Sequence, residues 1–257
     1  MTLEGKIALV TGGATGIGRA TVLALSRAGA VVAINYSKSA AEAEETARLV
    51  ERAGGRARTV QADVTRESQV RGMLDTVARE LGGVDCLVNS AGWTARVPHR
   101  QLDDLTDEIW ERVLVTNLRA PFYCVRAAVP HMERRGGGAV VNITSVAGFT
   151  GTGSSMAYAA SKAGLNTLTR SLARALAPSR IRVNAVAPGL LRTGFGGGFI
   201  SEEFLGQTGQ VTPIGRTVTA EEVADAAVFL LAHPAMTGHI SVVDGGLNAL
   251  GPMDPRR

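Results

Sequence analysis

The 257-residue sequence has little of what metal, disulfide or nucleic-acid chemistry requires. Its two cysteines, Cys86 and Cys124, lie far apart, each in an apolar stretch, so neither a disulfide framework nor a metal cluster can be drawn from them. Its four histidines, His99, His131, His233 and His239, stand singly, which speaks against a metal-dependent dehydrogenase and leaves no expected metal ligand. No apolar run of the length needed to cross a bilayer occurs, and MTLEGKIALVTGG has no basic segment leading into a long apolar one. The expectation is a cytoplasmic chain with no membrane association and reduced core thiols. The 27 basic and 23 acidic residues are scattered, apart from Arg134-Arg135 and Arg256-Arg257, and a solvated surface accounts for this better than a nucleic-acid-binding face. No proline-rich or serine-rich linker divides the chain, so residues 1–257 are read as a single domain.

What is present is a regular alternation. Short runs rich in β-branched residues recur at 6–11, 31–35, 57–61, 85–89, 139–144, 181–187 and 240–243. Between them apolar residues fall at helical spacing, as at Ile17, Ala20, Ala24 and Ala28, or Leu165, Leu168, Leu172 and Leu176. Strands apolar on both faces, joined by helix-length segments, predict an α/β fold: a doubly wound Rossmann domain with a seven-stranded parallel sheet and helices on both faces. Asn142-Ile143-Thr144 matches a glycosylation acceptor but ends a predicted strand, so it is read as coincidence. The glycine-rich stretch 190–213 is the one long irregular segment and is expected to be a flexible loop over a site.

After the first strand comes Thr11-Gly12-Gly13-Ala14-Thr15-Gly16-Ile17-Gly18, opening into a helix. Glycines at 12, 16 and 18 allow a tight turn, close approach of backbone to a pyrophosphate and close helix-to-sheet packing, while the helix N-terminus supplies N–H groups. A glycine trio alone is weak, since a structural turn produces one. Its place between strand and helix makes it a dinucleotide-binding signal, with Gly12, Thr15, Gly16, Ile17 and Gly18 as the candidate cradle.

The spacing Gly-x3-Gly-x-Gly, taken with a series of landmarks further along the chain, resembles the short-chain dehydrogenases/reductases, and specifically their 3-oxoacyl reductase and small-ketone reductase branch. The landmarks are Asp63 in an ADV triplet, Asn89-Ser90-Ala91-Gly92, Asn117, Ser145, Tyr158-x3-Lys162, Pro188-Gly189 and Asp244-Gly245-Gly246. Ser90 departs from the pattern, where a second Asn is commoner. The resemblance spans essentially the whole chain. It implies that Asp63 and Val64 meet the adenine, that Asn89, Ala91 and Gly92 line the cofactor trough, and that Pro188, Gly189 and Thr193 meet the carboxamide end. It also implies a homotetramer joined through the helices around 103–135 and 156–178. Asp63 alone would pass as a capping residue, and Asn117 as a satisfied core amide.

NAD-preferring members of that family carry an acidic residue at the end of the second strand. Here Ile34-Asn35-Tyr36-Ser37-Lys38 has none, and Ser37 and Lys38 suit a 2′-phosphate, so NADP(H) is favoured and NAD(H) stays open. The implied activity is hydride transfer between nicotinamide and a ketone or secondary alcohol carbon of a small molecule or 3-oxoacyl thioester, with Asn117, Ser145, Tyr158 and Lys162 as catalytic residues. Tyr-x3-Lys by itself is a common contact on a solvated helix. In this role the tyrosine acts as acid or base, which asks for its pKa, ordinarily ~10, to fall by ~3, or roughly 4 kcal/mol. An ammonium ~4 Å away supplies about that much. Ser145 steadies the developing charge, and Asn117 helps hold a water joining Lys162 to solvent. The alternatives are an NAD-dependent alcohol dehydrogenase on the same scaffold and a dinucleotide sensor without turnover.

Overall fold

The structure, a computed structural model, describes residues 2–191 and 201–253. Seven parallel strands, β1 (Ile7–Thr11), β2 (Val31–Tyr36), β3 (Ala57–Gln61), β4 (Cys86–Asn89), β5 (Gly138–Ile143), β6 (Ile181–Pro188) and β7 (Ile240–Val243), form one sheet in the order β3-β2-β1-β4-β5-β6-β7. Each expected strand is present within a residue or two. The side-chain period of two splits them between two cores: Ala8 and Val10 of β1 face one, Ile7 and Leu9 the other.

The first core is closed by α1 (Gly16–Arg27), α2 (Ala40–Arg52) and α9 (Ala220–Ala232), through Val22, Leu25, Val50 and Leu230. The second is closed by α3 (Glu67–Leu81), α5 (Ala120–Arg134) and α7 (Met156–Leu176), through Leu74, Val77, Val125 and Met132. Short α4 (Asp107–Leu114) runs through a π-helical turn, Val115–Arg119, into α5, and one-turn α6 (Ala147–Thr150) precedes α7. Asn142 is fully buried, which disposes of the apparent glycosylation signal.

Strand order reverses between β1 and β4. Chains leaving those two strands diverge, opening the crevice in which sheets of this kind bind ligands.

The stretch 190–213 corrects the expectation of a loop. Residues 202–211 form a helix, α8 (Glu202–Val211), whose N-cap Ser201 accepts from Phe204 N–H at 3.1 Å with Glu202 and Glu203 in its first turn. Its glycines masked the helical pattern. A Cβ at Gly209 would lie 3.3 Å from Arg216 Cα, so that glycine serves close packing. Residues 192–200, Thr193 among them, lie outside the described residues.

Candidate active site

A cleft of about 1200 Å³ opens at the C-terminal ends of the central strands. One side is the turn from β1 into α1, where Gly12, Thr15, Gly16, Ile17 and Gly18 all line the cleft. Gly12 (φ 63°) and Gly16 (φ 54°) use the left-handed region, and a Cβ at Gly18 would collide with the Gly12 carbonyl oxygen. Thr15 is extended and makes no side-chain cap, and no carboxylate occupies the first turn of α1. The helix therefore presents uncapped N–H groups and the positive end of its dipole toward the cleft.

Two residues that sequence reasoning passed over hold this turn. Buried Asn35 accepts from Gly12 N–H (3.3 Å) on Oδ1 and donates from Nδ2 to Ala62 C=O (3.0 Å), while Gly13 N–H reaches its carbonyl at 2.9 Å. The Thr11 hydroxyl accepts from Ser90 and Ala91 N–H, both at 3.1 Å, and so fixes the backbone leaving β4 against β1. A buried polar side chain at a strand end was the only signal available for either.

The chemical end gathers on β5 and α7. Ser155 caps α7, accepting from Tyr158 N–H at 3.2 Å, which places Tyr158 in the first turn and Lys162 one turn later on the same face. Ser145, just beyond β5, hydrogen-bonds the Tyr158 phenol. Lys162, 5% exposed, donates to Ile143 C=O at 2.9 Å and lies 5.6 Å from the centre of the Tyr158 ring. Ser145, Tyr158 and Lys162 all line the cleft, as do Ala91, Gly92, Pro188 and Gly189. A Cβ at Gly189 would come 2.7 Å from that of Asp244, whose carboxylate in turn accepts from Gly246 and Asn248 N–H; the landmark near the C-terminus thus braces the Pro188-Gly189 segment.

The electrostatics differ from expectation. Burial pushes Tyr158 up to about 12, against a hydrogen bond from Ser145 that pulls it down, and burial brings Lys162 down to about 8. In the chain alone burial sets the direction for both groups, and the ammonium is turned to the Ile143 carbonyl, so nothing here brings the phenol toward neutrality as expected.

Other expected residues lie off the cleft wall. Asn89 is buried, donating from Nδ2 to Asn142 Oδ1 at 2.9 Å, and Asn142 continues to Thr169 at 2.9 Å, so the side chain braces β4, β5 and α7 instead of facing a trough. Val64 is buried in the second core. The Asp63 carboxylate accepts from Thr65 N–H (2.9 Å) and hydroxyl (2.7 Å), an Asx turn and not a helix cap, since the N-cap of α3 is Arg66. Ser37 reaches the cleft, while exposed Lys38 is not on its wall. Asn117 sits in the π turn and clamps the Trp93 backbone from both sides, accepting from N–H and donating to C=O at 2.8 Å each, with a further bond to Ser161 Oγ at 3.2 Å. Both ends of its amide are engaged.

With this geometry in view, the relatives are informative. A family model described as enoyl-(acyl carrier protein) reductase matches residues 12–248. The cis-4-hydroxycyclohexanecarboxylate dehydrogenase of Sinomonas cyclohexanicum is 40% identical over 95% of this chain and 97% of its own. The 3-oxoacyl-[acyl-carrier-protein] reductase of Synechocystis is 36% identical over 95% and 98%. A crystal structure of a short-chain type dehydrogenase/reductase from Mycobacterium marinum superposes with a TM-score of 0.88 at 35% identity, over 96% of this chain and 97% of that one. The chain belongs to the short-chain dehydrogenase/reductase family. It is an oxidoreductase of that type, acting on CH–OH and C=O groups with a nicotinamide cofactor. The glycine turn fits such a dinucleotide, because the absence of a Cβ at 12 and 18 lets the backbone close tightly on itself and the α1 N–H groups are left to an anion.

In this short-chain dehydrogenase/reductase the far wall of the cleft carries residues outside the landmark motifs. Thr94, Arg96 and His99 come from the segment after Gly92, and Glu203, Phe204 and Gln207 from α8. Thr94 and Arg96 lie in the loop 93–96, and the α8 residues in the stretch 190–210, both of which the sequence marks as candidates for setting substrate choice.

Proposed function

We propose that the protein is an NADP(H)-dependent ketoreductase, moving hydride between the nicotinamide and a ketone or secondary alcohol carbon of a 3-oxoacyl thioester or small ketone. The observation that carries this is the convergence of Ser145, Tyr158 and Lys162 on the cleft that the glycine turn enters. The relatives' names point the same way, one to a 3-oxoacyl group and the other to a ring secondary alcohol. For NADP(H) the support is the end of β2: Tyr36, Ser37 and Lys38 come after buried Asn35 with no carboxylate to repel a 2′-phosphate, Ser37 reaches the cleft, and Lys38 beside it is exposed. Buried, unpaired Cys86 and Cys124 suit a reducing cytoplasm.

The dinucleotide, when bound, supplies or takes the hydride. The chain supplies the rest. Ser145 Oγ and Tyr158 Oη hold the substrate oxygen, and the phenol, kept protonated by burial, gives its proton to the oxygen as negative charge develops there. Lys162 holds the ribose hydroxyls with the donors not spent on Ile143. A protonated phenol is what reduction needs, so reduction is the direction the chain's own groups favour near neutral pH.

The test is a screen of small ketones and 3-oxoacyl thioesters with NADPH and NADH, monitored by nicotinamide absorbance. Faster oxidation of NADPH is expected, and Lys38→Ala should lower the NADPH-to-NADH ratio of kcat/KM about tenfold, the loss of one charge-assisted contact. Preference for NADH would make the protein an NAD-dependent alcohol dehydrogenase, and dinucleotide binding with no turnover of any carbonyl would make it a sensor.

A further inference from the structure

The far wall of the cleft holds chemistry that hydride transfer does not use. The segment after Gly92 is pinned to the loop before α7: the Thr94 and Ser154 hydroxyls lie 2.5 Å apart, and Val97 N–H donates to Ser154 C=O at 2.8 Å. Arg96 stands between those pins, exposed, on the cleft wall, and makes no ion pair or hydrogen bond with any described residue. Three residues beyond Arg96, His99 lines the same cleft with a buried Nε2 that has no hydrogen-bond partner. Covered by protein, that nitrogen is out of reach of a molecule in the cleft, which leaves Arg96 as the cation this segment presents to it.

From this we infer that Arg96 anchors a carboxylate on the substrate, so that the substrate class is an oxo acid and its hydroxy-acid counterpart. The inference rests on the proposed ketone and alcohol chemistry. A guanidinium offers a planar fork to one carboxylate, which suits a monoanion. A phosphate dianion is a poorer match, because Glu203 faces the same cleft from α8, its Oε1 accepting from Gln207 Nε2 at 3.2 Å, and adds a negative charge there. The pinning matters as well: an arginine on a segment tied down at both sides loses less freedom on binding than one on a free loop.

The experiment compares 4-oxocyclohexanecarboxylate with its methyl ester, which keeps the ring ketone and removes the charge, on the full-length enzyme with its preferred nicotinamide. The acid should have the higher kcat/KM, by about tenfold or more, and the advantage should shrink as salt is raised. Arg96→Gln should cut the acid-to-ester ratio about tenfold or more, chiefly through KM, with Arg96→Lys recovering part of it. Glu203→Gln should raise the ratio. Equal kcat/KM for ester and acid, or equal losses for both in Arg96→Gln, would overturn the anchor and leave the hydride-transfer reading standing. If neither compound is reduced, calorimetric binding of cyclohexanecarboxylate decides: tighter binding to the unaltered enzyme than to Arg96→Gln supports the anchor. Equal binding, no binding, or competition by inorganic phosphate at the same concentration overturns it.

Discussion

Lys162 is 5% exposed with its ammonium bonded to one carbonyl, and its pKa falls from the ordinary 10.5 to about 8 because burial disfavours the charge. A folded pKa below the unfolded one means that the unfolded chain binds more protons between about pH 8 and 10.5. Burying this group therefore costs stability below about pH 8, and the cost fades as pH rises toward 10.5. Lys162→Met should accordingly raise unfolding stability at pH 7 by on the order of 1 kcal/mol while removing turnover. Denaturant unfolding at pH 7 and pH 10 measures it. The gain should shrink at the higher pH, and a loss of stability at pH 7 would show that the ammonium's bond to Ile143 outweighs its desolvation. In the unaltered enzyme, kcat/KM for reduction should fall as pH rises through about 8.

At the scale of the element, the turn from β1 into α1 depends on a missing side chain. A Cβ at Gly18 would meet the Gly12 carbonyl and lie 3.0 Å from Gly13 Cα, both backbone atoms that cannot rotate away. Gly18→Ala should destabilise the fold by about 1–3 kcal/mol through overpacking and weaken dinucleotide binding by pushing α1 off the turn. Unfolding and a fluorescence titration with NADPH read the two effects; unchanged values in both would mean that the helix start adjusts freely. Elements like this one were legible in the sequence, because strand, glycine spacing and helix period each leave a pattern. The seven strands came through for that reason, and the glycine turn and the Ser145, Tyr158 and Lys162 set, whose roles are proposals, were legible as residues that share one cleft. What did not come through was set by tertiary contacts. Glycines 206 and 209 hid α8, the Asn142 amide drew Asn89 into the sheet, and the pKa of Tyr158 depends on burial that spacing cannot report.

The whole molecule leaves β7 as an open sheet edge, with exposed Val242 on it and exposed Phe229, Leu250 and Met253 on the chain around it. Of the large apolar side chains exposed among the described residues, Met156 is the one within 103–135 or 156–178, where the family resemblance placed the contacts. A homotetramer remains our proposal, and an open edge flanked by apolar groups is a reason for the chain to associate. Sedimentation at micromolar concentration should show a species of four protomers, and a stable monomer would contradict it.

The central claim is that the Tyr158 hydroxyl delivers the proton in a cleft it shares with a nicotinamide cofactor. The most direct test is Tyr158→Phe, measured for turnover of the best ketone from the screen and for NADPH affinity by fluorescence titration. Turnover should drop to background, by a factor of at least about 10², while dinucleotide affinity changes by less than about threefold, because the ring stays and only the hydroxyl is lost. Near-normal turnover in that variant would contradict the account.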